Sequence, residues 1–148
     1  MSAQPGWIQV FLDTPADAFE EAVAFWSAVT GWTPTARRGE DGQFLTLLPP
    51  AGAAYVKLQA VDAPAGVHLD LDSADRPAMA TRARDLGATA AWTYQDVEVM
   101  RSPGGLVFCH TLLDGSRTWS ATARRSSTRS ASTSRPSTGS PRWRSGPS

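Results

Sequence analysis

One order of secondary structure elements occurs twice in this chain, and it restricts the fold more than any other feature of the sequence. Residues 67–72 alternate between apolar and polar side chains, which predicts a strand with one apolar face. A helix is predicted over 75–86, ending at Gly87. Three short strands are predicted after it, over 89–94, 97–100 and 106–111. This part of the chain is therefore a strand, a helix and three strands.

The same order is predicted earlier in the chain. A strand over 7–13 precedes an amphipathic helix over 17–30, which ends at Gly31. Three strands are predicted next, over 32–37, 43–48 and 55–61. Neither βαβββ unit can enclose a core alone. We therefore expect an α+β fold in which two βαβββ modules form a curved mixed sheet around a concave pocket, with the helices on the convex side.

Several short motifs accompany this order. They are AFWSAVTGW after the first strand, and HLDL, DLGA, VMRSPGG and FC in the second unit. With the repeated unit, they resemble the vicinal oxygen chelate superfamily, which has the glyoxalase and bleomycin-resistance fold, and within it the glyoxalase-like domain proteins. The similarity extends over 7–113, and we take residues 1–113 as this domain. The superfamily includes isomerases, dioxygenases, transferases and drug-binding proteins, so the resemblance leaves the activity open.

Residues 114–148 differ in composition from the rest of the chain. All 14 acidic residues lie within 1–114, beside 7 basic ones, so that part carries a formal charge of −7. Residues 115–148 contain seven arginines and no acidic residue. No Leu, Ile, Val or Phe occurs after Leu113, so this tail cannot build a core, and we predict that it is disordered.

The tail also has the composition expected of a segment translated out of frame. Serine codons of the TCN type, read one base earlier, become codons for Val, Ile, Leu or Phe. Over 127–146 that reading contains QVCIDVPPEHRFAAVAFW, which aligns with QVFLDTPADAFEEAVAFW at 9–26. We infer a tandem protein whose second domain is lost to a frame error between about 111 and 126, and resequencing that interval tests this. Such a loss exposes the surface that the second domain covered, which would favour a homodimer or aggregation.

Composition narrows the location and the partners. No stretch is long enough to cross a membrane, and no secretory signal is recognisable at the start. The single cysteine, Cys109, fits a reducing compartment. We therefore expect a cytoplasmic protein with no membrane partner. The tail arginines could bind nucleic acid through charge alone, but an out-of-frame origin gives them no selected role, so we expect no nucleic-acid partner.

The resemblance implies a position for a divalent metal. Catalytic members of the superfamily take one ligand from each of four strands, commonly His or Gln, Glu, His and Glu. The corresponding positions here are Gln9, Gln59, His68 and Cys109. Both carboxylates are missing, and a hard cation needs anionic oxygen, so we expect no tight catalytic metal. Asp70, two residues after His68, could supply one carboxylate, so a divalent metal stays an alternative.

Strand alternation predicts a set of ligand-binding residues on the concave face. They are Gln9, Phe11, Tyr55, Lys57, Gln59, His68, Asp70, Val107 and Cys109. The aromatic rings and the single positive charge suit a small planar or acidic organic ligand. The alternative is that Tyr55 and Lys57 only edge the sheet.

The residues that carry chemistry also have structural interpretations. His68 is the best catalytic candidate, because a neutral imidazole can act as a general base near pH 7. The alternative is a hydrogen-bonded structural histidine. Cys109 is expected to be a small buried hydrophobic residue. His110 should point to the opposite face, so the two would not form a catalytic pair.

Two classes of function follow. The first, which we favour, is a glyoxalase-like domain that binds a small organic molecule, as bleomycin-resistance proteins do, without a tight catalytic metal. The second is a metal-dependent lyase, isomerase or dioxygenase of the vicinal oxygen chelate superfamily. A third possibility is that the truncated product has no function. The sequence leaves open whether the protein is an enzyme, and it does not identify the ligand.

Overall fold

The computed structural model describes residues 4–94 and 97–112. The first module contains β1 (Trp7–Pro15), a turn of 3-10 helix (Ala16–Ala18), α1 (Phe19–Thr30), β2 (Thr33–Pro34), β3 (Phe44–Leu48) and β4 (Val56–Val61). The second module contains β5 (Gly66–Ser73), α2 (Arg76–Asp85), β6 (Thr89–Tyr94), β7 (Val97–Arg101) and β8 (Val107–Leu112). The predicted repeat of a strand, a helix and three strands is confirmed. The tail at 114–148 lies outside the described residues, so its disorder and its frame stay predictions.

The strand after α1 is much shorter than the predicted 32–37. Pro34 has no N–H to donate to a ladder, and β2 ends at this residue. Beyond it, one isolated bridge joins Arg38 to Phe44. The chain between β2 and β3 therefore leaves the sheet early, and it carries Arg38 out of the ladder.

All eight strands form one curved, open mixed sheet. Their order is β2-β3-β4-β1-β5-β8-β7-β6. β1 and β5 pair antiparallel at the centre, and each pairs in parallel with the last strand of its own module, β4 or β8. The two modules thus meet along their first strands, and the predicted fold class is confirmed.

The register across the four central strands fixes which side chains lie side by side. Phe11 on β1 pairs with Lys57 on β4 and with His68 on β5. Two residues after His68 on β5, Asp70 pairs with Gln9 on β1 and with Cys109 on β8. Because side chains of a strand alternate between its two faces, these residues share the face opposite the helices.

Each helix covers the other face of its own module. Under α1 the buried core consists of Phe19, Leu45, Leu47 and Leu58. Under α2 it consists of Ala80, Met100 and Phe108. The termini follow the expected rules: Gly31 ends α1 in the left-handed conformation at φ 71°, and Asp75 accepts a hydrogen bond from the Ala78 N–H at 3.0 Å. Within the described residues, neither helix has the length and apolarity needed to cross a bilayer.

Candidate functional site

A cavity of about 290 Å³ opens on the concave face where the two modules meet. Nine described residues line it: Gln9, Phe11, Arg38, Phe44, Lys57, Asp70, Asp72, Thr111 and Leu112. They come from β1, β3, β4, β5 and β8 and from the segment after β2. The predicted residues Gln9, Phe11, Lys57 and Asp70 are therefore brought together on one wall.

The sheet beneath this cavity is polar although it is buried. The side chains of Gln9, Lys57, Gln59, His68 and Asp72 all lie at 9% exposure or less. Burying a polar group costs free energy unless the group is hydrogen-bonded. A layer of buried polar side chains therefore lowers the stability of a domain unless these groups find partners. A buried polar face beneath an open cavity is typical of a binding or catalytic site.

His68 lies between two carboxylates. Its Nδ1 atom is 2.6 Å from Oδ2 of Asp13, and its Nε2 atom is 3.6 Å from Oδ1 of Asp70. With the proton on Nδ1, the ring donates to Asp13, and Nε2 presents its lone pair toward Asp70. The imidazole is therefore hydrogen-bonded to Asp13, and its contact with Asp70 is electrostatic.

His68 is buried, and its imidazole stacks against a ring that lines the cavity. The rings of Phe11 and His68 lie on neighbouring strands, with centroids 4.7 Å apart and planes 6° from parallel. On the strand at the other side of Phe11, the ammonium of Lys57 lies 5.6 Å from the centroid of the Phe11 ring. Phe11 therefore lies between His68 and Lys57 and gives the cavity an apolar surface beside a cation.

The two aspartates of the cavity wall have different environments. Asp72 is fixed: Gln9 donates to it through Nε2 at 2.7 Å, and the Thr111 hydroxyl donates to its other oxygen. Asp70 has a raised pKa, chiefly because it is buried and also because the charge of Asp72 lies nearby, while His68 opposes the shift. Asp70 thus keeps its proton to a higher pH than an exposed aspartate does.

Cys109 lies beside Asp70 and donates its S–H to that carboxylate. Burial, followed by the charge of Asp70, raises the pKa of the thiol. The group is therefore a protonated hydrogen-bond donor and not a nucleophile. His110 lies on the helix side of β8, with its ring edge-on to Phe108 at 5.5 Å, so the expected separation of the two residues is observed.

The other predicted ligand-binding residues lie away from the cavity wall. Tyr55 is 44% exposed, and its ring lies edge-on to Trp32. Val107 is half-buried, in register with His68. Gln59 is buried and pairs in register with Asp13. Its Nε2 atom and the Oδ1 atom of Asp13 both lack a hydrogen-bond partner among the described residues, so an unused donor and an unused acceptor sit on neighbouring strands.

Sequence reasoning missed six site residues: Asp13, Arg38, Phe44, Asp72, Thr111 and Leu112. Asp13 could have been found, because it continues the alternation of Gln9 and Phe11, and Asp72 continues that of His68 and Asp70. Arg38 had no such signal. It comes from a connecting segment, and its place depends on contacts distant in sequence.

The four positions implied for a metal do not fit a metal site. Gln59 is in register with Asp13, four residues along β1 from Gln9, which is about 13 Å at the usual rise of a strand. Gln9, Gln59 and His68 offer amide and imidazole groups, which lack the anionic oxygen that a hard cation needs. Lys57 on β4 lies in register with Phe11, which in turn pairs with His68. Its positive charge would repel a cation bound at His68. Within the described residues, no group of three or more His, Cys, Asp or Glu could hold a metal ion.

Structural comparison supports the fold. Methylmalonyl-CoA epimerase from Mycobacterium tuberculosis is 17% identical, with a TM-score of 0.52, and the match covers 78% of this chain and 93% of that one. A glyoxalase/bleomycin resistance protein/dioxygenase superfamily member from Vibrio splendidus is 17% identical at a TM-score of 0.49, covering 70% and 96%. The Mn(II)-bound glyoxalase from Novosphingobium aromaticivorans is 18% identical, with a TM-score of 0.48. That match covers 72% of this chain and 37% of the glyoxalase chain. At 17% identity, the match to the epimerase shows the fold alone.

No curated protein matches the sequence. The family model described as Glyoxalase-like domain matches residues 9–111, which include both modules and every described residue of the cavity except Leu112. The match covers well over half of the chain, and it agrees with the repeated βαβββ order and with the structural neighbours. The chain therefore belongs to the glyoxalase-like domain family.

Proposed function

We propose that this glyoxalase-like domain binds a small organic molecule in the concave cavity, without a tightly bound catalytic metal. The observation that carries the proposal is the cavity itself, about 290 Å³ in volume, at the line where the modules meet. Ligand pockets range from about 300 to 1,000 Å³, so this one suits a small ligand. A charged and aromatic wall over a buried polar layer gives such a ligand both an apolar surface and hydrogen-bond partners.

The donor set supports the metal-free form of the proposal. The amide and imidazole groups of Gln9, Gln59 and His68 supply no anionic oxygen, and Gln59 lies about 13 Å along the sheet from Gln9. Lys57 places a positive charge in the same cavity. A ligand that binds here would therefore be held by hydrogen bonds, by ring contacts and by charge.

A thermal-shift panel on the full chain tests the proposal. One arm adds Mn²⁺, Ni²⁺, Zn²⁺ or Fe²⁺ and then a chelator, and the other adds small aromatic molecules to chelator-treated protein. We expect stabilisation in the second arm only. Asp70→Asn should change the response to the aromatic molecules, whereas Asp62→Asn, at an exposed residue away from the cavity, should not.

Metal-specific stabilisation by several degrees, reversed by the chelator, would overturn the metal-free proposal. It would favour the second candidate class, a metal-dependent lyase, isomerase or dioxygenase of this superfamily. If no small molecule stabilises the chelator-treated protein, the binding proposal itself is wrong.

A further inference from the structure

We infer that the concave cavity selects ligands that carry a single carboxylate, and that Arg38 is the residue that binds it. This inference rests on the proposed function, because it names the ligand class of the same site. It concerns a residue outside the sheet that neither the strand pattern nor the family match singles out.

Two threonine hydroxyls hold the guanidinium of Arg38 in place. Nη2 donates to Oγ1 of Thr46 at 2.7 Å, and Nη1 donates to Oγ1 of Thr35 at 3.2 Å. The backbone is also fixed, since Arg38 and Phe44 exchange hydrogen bonds of 2.7 and 3.0 Å. A guanidinium positioned in this way loses little conformational entropy when it binds an anion.

The charge of Arg38 is not neutralised by a carboxylate. Its neighbour Arg37 pairs with Glu20, and Arg84 on α2 pairs with Glu98. Arg38 forms no such ion pair within 4–94 and 97–112; its side-chain partners there are the two neutral hydroxyls. It nevertheless lines the concave cavity. An oriented and uncompensated guanidinium on a cavity wall is suited to bind a carboxylate, which matches its planar set of donors.

The side of the cavity formed by the first module adds a second cation and two rings. Lys57 lines the same cavity and is only 9% exposed. Phe11 and Phe44 meet edge-to-face there, with centroids 6.2 Å apart and planes at 74°. A carboxylate on this side meets positive charge in a partly dehydrated space, while a planar body attached to it contacts the aromatic rings.

The second module limits the ligand to one negative charge. Asp70 and Asp72 on β5 line the same cavity. A second carboxylate on the ligand would face these two acidic groups. The site should therefore bind a monocarboxylate more tightly than a dicarboxylate of similar size. It should bind either acid more tightly than an uncharged amide only if the attraction of Arg38 exceeds the repulsion of the two aspartates.

Three probes separate these contributions: benzoate, the uncharged isostere benzamide, and the dicarboxylate terephthalate. Each is titrated into ¹⁵N-labelled full-length protein, and the shifts of the backbone amides of β1, β4 and β5 are followed. We expect benzoate to bind at least about tenfold more tightly than either other probe, a difference of about 1.4 kcal/mol. Arg38→Gln should weaken benzoate binding about tenfold and leave benzamide binding unchanged.

Matched variants control for net charge and for folding. Arg37→Gln removes the same charge one residue away, from a side chain that is bound to Glu20, and it should leave benzoate binding unchanged. Arg38→Lys keeps the charge but loses the planar donor set, so its effect should be intermediate. Arg38 is exposed, so its replacement should not unfold the domain. Amide spectra of each variant without ligand check this directly.

The outcomes distinguish the inference from the function on which it rests. Equal affinities for benzoate and benzamide, or benzoate binding that is unaffected by Arg38→Gln, would overturn the assignment of Arg38 while concave binding stands. Benzoate shifts confined to residues outside the concave strands, such as the arginines of the tail, would overturn it as well. If no probe shifts the concave amides, both the inference and the proposed function are wrong.

Discussion

The two modules share one topology but fill their cores differently. Around the four buried residues of the first module pack Leu12, Ala22, Val23, Trp26, Trp32, Val56 and Ala60. The three buried residues of the second module have fewer and smaller neighbours: Leu69, Leu71, Ala83 and Ala88. From α2 only Met79 and Ala80 are buried. The same order of elements is therefore stabilised by a large aromatic core in one module and by a thin alanine-rich layer in the other.

The thin layer leaves space on both sides of one histidine. Cavities of about 320 and 230 Å³ lie between α2 and the sheet, and His110 lines both. The residue is 3% exposed, and neither ring nitrogen has a hydrogen-bond partner among the described residues. His68, on the concave face, is as deeply buried but is bonded to Asp13. Both histidines belong to the second module, so its concave face pairs a buried imidazole while its helix face leaves one unpaired.

The largest expected effect is the cost of truncating the better-packed core. Leu58→Ala in the first module should destabilise the domain by about 3 to 4 kcal/mol, because the rigid surroundings cannot close the cavity. Met100→Ala in the second module should cost about 2 kcal/mol, since its looser surroundings can relax. Urea denaturation measures both. A larger loss for Met100→Ala would contradict the comparison, and Val29→Ala, at an exposed site, serves as the control.

Replacing the two buried histidines should change stability in opposite directions. His110→Phe removes an unpaired imidazole and fills the same space with apolar atoms, so we expect a gain of about 1 kcal/mol. His68→Phe deprives the Asp13 carboxylate of its partner and should cost about 2 kcal/mol. Thermal and urea unfolding at neutral pH measure both variants. If both destabilise equally, His110 has a partner that this structure does not contain.

The stability of the domain should also depend on pH through His110. Burial lowers its pKa below the ordinary histidine value of 6.5, so the unfolded chain takes up a proton at a pH at which the folded protein does not. The resulting stability is fully present above about pH 6.5 and declines as the pH falls toward the folded pKa. The slope of unfolding free energy against pH below that value should be smaller in His110→Phe. Parallel slopes for the two proteins would exclude this contribution.

A smaller effect is expected at the cavity wall. The raised pKa of Asp70 means that the folded state favours the protonated carboxyl, so this group contributes stability below its ordinary pKa of 3.8 and loses it as the pH rises through the folded value. Asp70→Asn imitates the protonated form. The variant should be slightly more stable than wild type at pH 7 and equal to it near pH 3. Lower stability of the variant at pH 7 would mean that the ionised form is the preferred one.

The sequence was enough to predict the elements and the faces of the strands. Alternation over β1, β4 and β5 depends only on local periodicity, and it brought Gln9, Phe11, Lys57 and Asp70 to one wall. Turn residues such as Gly31 and Gly87 marked the ends of the helices, and both have positive φ. Local signals of this kind do not require knowledge of the partner strand.

The rest of the site depends on contacts between distant segments. Arg38 reaches the cavity because Thr46 on the next strand holds its guanidinium, and no local pattern encodes that contact. The pairing of Asp13 with His68 joins residues 55 apart in sequence and follows from the register of β1 and β5. The register of β1 and β4 places Gln59 too far along the sheet to act with Gln9. The position of Gln59 within a sequence motif does not show how far along the sheet it lies from Gln9.

The most direct test of the account is a titration of benzoate into chelator-treated, ¹⁵N-labelled full-length protein. If the concave cavity is a metal-free ligand site, the amides of Phe11, Lys57 and Asp70 should shift together with one saturation curve. Adding Mn²⁺ or Zn²⁺ should leave that curve unchanged. The account would be contradicted if these amides moved only after metal was added, or if they did not move while residues elsewhere in the chain did.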